Sequence, residues 1–139
     1  MLTFTLHSIE EISGRIKLFK LIINGSSPYD DFEEQIRHEG NLINQLNTIQ
    51  TRFDQIANGL LLPETKFKKL KGCRDEHAEY EIKTRDLRVY LFKEAKTGNI
   101  IVCGGRKNTQ SKDIHHFRKL KNEYLAFKYF TYAKQRKTD

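Results

Sequence analysis

The chain has 139 residues, with 25 Lys/Arg against 18 Asp/Glu and a formal net charge of +7. This length predicts one domain over 1–139, and 37% hydrophobic residues with charges of both signs argue against a disordered chain. Two cysteines, Cys73 and Cys103, are too few for a disulfide scaffold. The N-terminus does not resemble a signal peptide, and no apolar run nears the ~20 residues that span a bilayer. We therefore expect a cytoplasmic protein with no membrane partner.

The positive charge is concentrated in the second half of the chain. Residues 1–65 carry 5 Lys/Arg against 9 Asp/Glu, whereas residues 66–112 carry 13 against 6 and residues 113–139 carry 7 against 3. Segregated charge of this kind is typical of a protein that meets a polyanion. It favours a nucleic-acid partner.

Two strands are predicted before residue 24. Apolar and polar residues alternate over 2–7, and 15–23 is rich in apolar and β-branched residues and ends at an Asn-Gly turn. The two segments are expected to pair as a hairpin. A helix over 9–23 is the alternative, since Ser8 and Glu11 have the spacing of a capping box, although a glycine inside that segment counts against it.

Two helices follow. Ser26-Ser27-Pro28 and the acidic residues after it are typical of a helix start, Gly40 predicts an interruption, and Asn58-Gly59 ends the second helix. Apolar residues recur at helical spacing along one stripe and predict a face that packs on the core, namely Phe32, Ile36, Ile43, Leu46, Ile49, Phe53 and Ile56.

The basic half predicts strands over roughly 79–92 and 98–104, joined by a hairpin turn at 96–99. A long last helix is expected from Ser111, with a polar, frayed tail over 134–139. The predicted fold is therefore α+β, with a small, twisted, mainly antiparallel sheet, two N-terminal helices on one face and a C-terminal helix.

Four segments in the same order carry a family resemblance. They are QLNTIQTRFDQIANG with LLPETKFKKLKG, then YEIKTRDLRVYLF, then NIIVCGGRKNTQ and finally DIHHFRKLKNEY. Together they resemble the RelE/ParE toxin superfamily, in particular its phage-derived HigB-like branch. The resemblance covers about 16–127 and leaves 1–14 as an N-terminal addition. Lys83, Leu87 and Asn108 depart from the usual pattern of the family.

The resemblance implies the toxin of a type II toxin–antitoxin pair, which cleaves mRNA on the ribosome without a metal or cofactor. Its implied partners are mRNA on the ribosome and a cognate antitoxin, while the oligomeric state is left open. The implied catalytic residues are Arg88, Lys107, Lys83, Arg106 and His115. The implied nucleic-acid-binding residues are Arg85, Lys68, Lys69, Lys71, Tyr90, Phe92 and His116.

The residues themselves single out Arg88. Alternation places Arg88, Tyr90 and Phe92 on one face of a strand whose other face is wholly aliphatic. The aliphatic face is expected to lie on the helices, so that the Arg88 face stays open and its aromatic rings are free to stack on bases. Glu81 is a candidate base, or only a charge partner for the nearby cations.

Other roles and functions remain open at this level. Either histidine of the pair at 115–116 could transfer protons or lie on the helix surface, and Tyr124 could be a phenol donor or a core residue. Residues 129–132 could form a sticky patch or wrap back onto the core. The alternative functions are a non-catalytic nucleic-acid-binding or regulatory module, a ParE-type gyrase inhibitor, and a structural interaction protein.

Overall fold

The computed structural model describes residues 2–9, 12 and 14–138, with side chains through Gln135. Its strands are β1 (Phe4–Ser8), β2 (Leu18–Ile23), β3 (Phe67–Lys69), β4 (Glu79–Lys83), β5 (Leu87–Glu94) and β6 (Gly98–Arg106). Its helices are α1 (Pro28–Glu39), α2 (Ile43–Ala57) and α3 (Gln110–Thr138), the last preceded by a 3-10 turn over Lys107–Thr109. The α+β prediction is confirmed within the described residues.

The strands form one mixed sheet in the order β1-β2-β6-β5-β4-β3. All neighbouring pairs are antiparallel except β2 and β6, which run parallel. The predicted N-terminal hairpin is confirmed, with β1 as an edge strand. The alternative helix over 9–23 is wrong because Leu18–Ile23 is extended, and Glu11 of the suggested capping box lies outside the described residues.

The two N-terminal helices form as their local signals predict. The Ser27 hydroxyl accepts a hydrogen bond from the Asp30 amide at 3.1 Å, and Pro28 occupies the first turn. Gly40 ends α1 at a φ of 83°, in the left-handed region that favours glycine. The interruption predicted at this glycine is therefore confirmed.

One prediction in the second half is wrong in its boundaries. Residues 79–92 are not one strand, because the chain turns between Lys83 and Leu87, and the short strand β3 lies beside β4. Three polar residues at 84–86 carry this turn, and period-two alternation alone does not reveal it. The last helix is described in its backbone through Thr138, and the fraying of 134–139 stays a prediction.

The sheet separates two hydrophobic cores, because apolar side chains emerge from both faces of β5. One core joins α1 and α2 to the first face, with Leu87, Val89 and Leu91 fully buried. The other joins α3 to the second face, where Phe117 and Tyr124 pack on Tyr90 and Phe92. The Arg88 face was predicted to be open, and this prediction is wrong because α3 covers it.

The exposure of α3 rises toward its C-terminus. Phe117 is fully buried, Phe127 is half-buried, and Tyr129 is 75% exposed. Phe130 and Tyr132 are also exposed, so these rings do not wrap back onto the core. Among the described residues, no helix is both long and apolar enough to cross a membrane.

A buried ion network attaches α3 to the loop before β4. Lys121 is 0% exposed, and its ammonium donates to Asp75 Oδ1 at 2.8 Å, Glu79 Oε2 at 3.0 Å and the His77 carbonyl at 2.6 Å. Arg118 donates to the other Glu79 oxygen at 2.8 Å. Each cation therefore has an anionic partner, which offsets the cost of burying its charge.

We predict that Lys121→Met lowers the free energy of unfolding by about 3 kcal/mol, because it leaves buried acceptors without their cation. Lys119→Met is the matched control on the same helix. Lys119 is exposed and forms no salt bridge within the described residues, so the control should lose less than about 1 kcal/mol. Urea unfolding of both variants measures the difference, and equal losses would contradict a structural role for the buried network.

The same network gives stability a pH dependence. Burial raises the pKa of Asp75, but hydrogen bonds from Lys121 and the His77 amide outweigh it, so the pKa lies below its ordinary value of 3.8. This stabilisation is present above pH 3.8 and is lost as the pH falls through the lowered native pKa. The wild type should lose stability more steeply with acid than Lys121→Met, and parallel unfolding curves would contradict the assignment.

Candidate functional site

A side chain of α2 fixes the turn between β4 and β5. Gln45 Oε1 accepts hydrogen bonds from the Thr84 hydroxyl at 2.6 Å and the Asp86 amide at 2.8 Å, while Gln45 Nε2 donates to Asp86 Oδ2 at 2.7 Å. The Thr84 hydroxyl also accepts from the Leu87 amide at 3.1 Å. The turn is thus held by its own polar groups and by one glutamine.

This turn positions Arg88. One terminal nitrogen of its guanidinium donates to the Thr84 carbonyl at 2.6 Å and to the Leu87 carbonyl at 2.8 Å. Both acceptors are neutral, and the buried Nε has no hydrogen-bond partner. Arg88 is 5% exposed, and within the described residues no carboxylate lies within 4 Å of it. Its charge is therefore buried without an ion pair, which is costly.

A second cation lies directly across the sheet. Lys83 of β4 is the register partner of Arg88, so both side chains project from the same face with Cβ atoms about 5 Å apart. Like charges placed opposite each other in this way are destabilising. Lys83 forms no salt bridge within the described residues either. An anion bound between the two cations would remove both penalties.

The other neighbour of Arg88 is Gly105 of β6, again directly across the sheet. Without a side chain at Gly105, the carboxylate of Asp113 from α3 lies against the strand, where a Cβ atom would overlap its Oδ2. The Thr109 hydroxyl donates to the same oxygen at 2.6 Å. We call this bare position beside Arg88 the Gly105 seat.

Glu81 and Tyr90 form the next cross-strand pair on the same face. Glu81 is buried and accepts a hydrogen bond from Gln110 Nε2 at 2.7 Å. The Tyr90 hydroxyl is buried with no partner, and its pKa is raised by burial and by the charges of Glu81 and Asp113. Burial likewise raises the pKa of Cys103, opposite Tyr90, to about 12.

A cleft of about 540 Å³ opens at this end of the sheet, between the N-terminal turns of α1 and α3. Gly104 and Gly105 lie along it, with Asp31, Lys112 and His116 among its other lining residues. A second depression of about 340 Å³ is lined by Asp86, Arg106, Lys107 and Asn108. Arg106 lines both clefts, so the two clefts are adjacent and lie next to the Gly105 seat.

Of the predicted catalytic residues, Lys83 and Arg88 are together on one face. Lys107 is exposed in the 3-10 turn, and its backbone amide donates to the Asp86 carbonyl at 2.9 Å. Arg106 lies opposite Leu87, on the other face of the sheet from Arg88, and pairs with Glu39. His115 is exposed and, unlike its neighbour at 116, does not line the cleft.

The predicted binding residues are more scattered. Lys68 lies opposite Glu81 on the Arg88 face, whereas Lys69 lies opposite Tyr80 on the other face. Arg85 and Lys71 are exposed. Tyr90 and Phe92 are fully buried under α3, so the prediction that their rings are available for base stacking is wrong.

Sequence reasoning missed Gln45, Gln110 and Asp113. Gln110 lies within the quoted RKNTQ segment, which could have suggested it. Gln45 is far from the turn in the sequence. The clear pattern in its helix is the apolar stripe that packs on the core, and Gln45 is not part of that stripe. Asp113 lies in the first turn of the last helix, and no nearby sequence pattern indicates its contact with Gly105.

No group of three or more His, Cys, Asp or Glu side chains in the described part of the chain could hold a metal ion. Comparisons with protein-family models, with curated proteins and with solved structures find no match to this chain. The function is therefore inferred from the geometry around Arg88.

We predict that Gln45→Leu lowers the free energy of unfolding by about 2 kcal/mol, because it removes the three hydrogen bonds that Gln45 makes to the Thr84 hydroxyl, the Asp86 amide and the Asp86 carboxylate. Gln55→Leu is the control on the same helix, since no hydrogen bond from the Gln55 side chain occurs among the described residues. Urea unfolding compares the two variants. A loss in Gln45→Leu no larger than in the control would show that the turn does not depend on this glutamine.

Proposed function

We propose that this protein is an RNA-directed toxin of a type II toxin–antitoxin pair, a ribosome-dependent endoribonuclease that cleaves mRNA without a metal. One observation carries the proposal. Arg88 is buried without an ion pair, directly opposite Lys83, and a phosphate is an anion that would satisfy both cations. Catalytic and binding sites often hold such uncompensated charges.

The charges around the pair support a polyanionic substrate. Lys68 shares the face, and the exposed Arg85 and Lys107 lie at the adjacent turns. These positions give a strand of phosphates several cations in succession. Because Tyr90 and Phe92 are covered, affinity is expected to come from phosphate contacts and to fall steeply with salt.

The chemistry requires three tasks. A 2′-hydroxyl must lose its proton and attack the adjacent phosphorus, the charge of the phosphorane must be stabilised, and the leaving 5′-oxygen must be protonated. Arg88 and Lys83 would stabilise the phosphorane. Glu81 would accept the proton once its bond to Gln110 is exchanged, and His116 at the cleft would donate to the leaving oxygen.

A non-catalytic nucleic-acid-binding module is the second candidate, and a specific observation favours it. Glu81 accepts a hydrogen bond from Gln110 and lies buried beneath α3. In this arrangement the candidate base does not face an RNA hydroxyl. This candidate keeps the binding of phosphates by Arg88 and Lys83 but omits the cleavage step. The two functions therefore differ in product and not in affinity.

The test is a cell-free translation reaction with a defined mRNA, followed by primer extension to locate 3′ ends. Wild type is compared with Arg88→Lys, which keeps the buried charge but loses Nε and the planar fork. Lys93→Ala is the control, because Lys93 is exposed near the far end of β5. We expect codon-phased cuts that fall about 100-fold in Arg88→Lys and persist in Lys93→Ala.

Other outcomes separate the candidates. Uncut message with blocked translation and salt-dependent RNA binding would establish the binding module. Intact message with normal translation and no RNA binding would contradict both candidates. Thermal unfolding of Arg88→Lys confirms that the variant is folded, so that a loss of cleavage reports on the site.

A further inference from the structure

The edge strand β1 leaves one side of its backbone open. The Asn24 amide donates to the Thr3 carbonyl at 2.8 Å, and the Ile9 amide donates to the Leu18 carbonyl at 3.2 Å. Both contacts belong to one antiparallel register, so the odd-numbered residues from 3 to 9 bond to β2. The even-numbered residues direct their amides and carbonyls to the other side, where no strand pairs with β1 within the described part of the chain. These residues are Phe4, Leu6 and Ser8.

This open edge lacks the features that keep sheets from pairing with one another. Sheet edges are commonly protected by short strands, by charged side chains, above all lysine, and by proline or a bulge. The opposite edge strand, β3, has three residues, and two of them are Lys68 and Lys69. By contrast, β1 has five residues without a charged carboxylate, lysine, arginine or proline, and its register with β2 has no bulge. It is therefore suited to accept another strand.

Apolar surface continues from this edge onto the C-terminal half of α3. Phe127 packs on Phe4 with the ring centroids 5.4 Å apart, and both rings line two clefts of about 450 and 400 Å³. Further along the helix, Tyr129 and Phe130 are 75% and 56% exposed. Exposed rings and apolar clefts beside an open strand edge are typical of an interaction surface.

We propose that a second copy of this chain covers the β1 edge, through antiparallel pairing of the two β1 strands across a twofold axis at Leu6. With this axis, Leu6 lies opposite the partner's Leu6, and Phe4 lies opposite the partner's Ser8. Every outward amide and carbonyl of both strands then has a partner, in about six hydrogen bonds. The two sheets join into one continuous sheet.

Two features of the surface favour a second copy as the occupant. The first is charge, because the exposed Thr5 lies opposite the partner's exposed His7 and no like charges meet. Pairing through β3 would instead bring its lysines together. The second is shape, since one surface carries both exposed rings and apolar clefts. An interface between identical copies requires such a self-complementary surface.

The test is sedimentation velocity of the purified chain at concentrations up to about 100 μM. We expect the wild type to form a species of twice the 16.4 kDa of the chain. Thr5→Glu/His7→Glu places like charges opposite each other across the axis and should weaken the dimer at least about tenfold. Thr5→Lys/His7→Glu places opposite charges there and should keep the dimer.

The matched control is Thr48→Glu/Thr51→Glu, which adds the same charge at exposed positions of α2. This helix contacts β4, on the other side of the sheet from β1, so the control should dimerise like the wild type. Thermal unfolding confirms that each variant is folded. Both β1 positions are exposed, so their substitution leaves the core intact.

Three results would overturn this inference. A wild type that keeps the monomer mass at all concentrations would leave the edge to an extended segment of a different protein. A dimer that Thr5→Glu/His7→Glu weakens no more than the control does would lie on another surface. Loss of the dimer in both β1 variants would contradict the register, in which position 5 of one copy faces position 7 of the other.

Discussion

The architecture depends on two adjacent glycines in the central strand β6. Successive residues of a strand point to opposite faces, so Gly104 and Gly105 leave both faces bare at one level. A Cβ atom on Gly104 would lie 2.6 Å from the Phe32 ring of α1, and one on Gly105 would overlap the Asp113 carboxylate of α3. The missing side chains let a helix approach each face at the same end of the sheet, which is where the cleft and the cationic pair lie.

Around this end, the electrostatics differ from those of the ion network on α3. At Lys121 and Arg118 each buried or half-buried cation has a carboxylate within 3 Å, so the network secures the fold. Arg88 and Lys83 have none, although their backbone turn is tightly fixed by Gln45. The protein therefore holds a cation rigidly in place while leaving its charge unsatisfied. A buried charge without a counterion is a local departure from favourable energetics, and such departures are typical of functional sites.

Local sequence signals predicted most of the strands and helices. They did not predict that α3 covers the Arg88 face of the sheet. Period-two alternation and the Ser27, Pro28 and Gly40 signals predicted the hairpin and the first helices, because they depend on nearby residues. The Arg88 face was misjudged because Tyr90 and Phe92 were taken for exposed rings, when their partners Phe117 and Tyr124 lie in a helix beyond β6. The turn at 84–86 and the position of Asp113 depend on tertiary contacts with Gln45 and Gly105, which no local pattern encodes.

We propose that the unpartnered Nε of Arg88 binds a phosphate. NMR can follow the Nε–Hε resonance of Arg88 while a 2′-O-methyl dinucleotide, which cannot be cleaved, is added to the wild-type protein. Arg85, which is exposed, serves as the internal reference. If a phosphate binds at Arg88, its resonance should show a saturable downfield shift and its proton should exchange more slowly with water, because a charge-assisted hydrogen bond forms. Shifts at Arg85 with none at Arg88 would rule out this site.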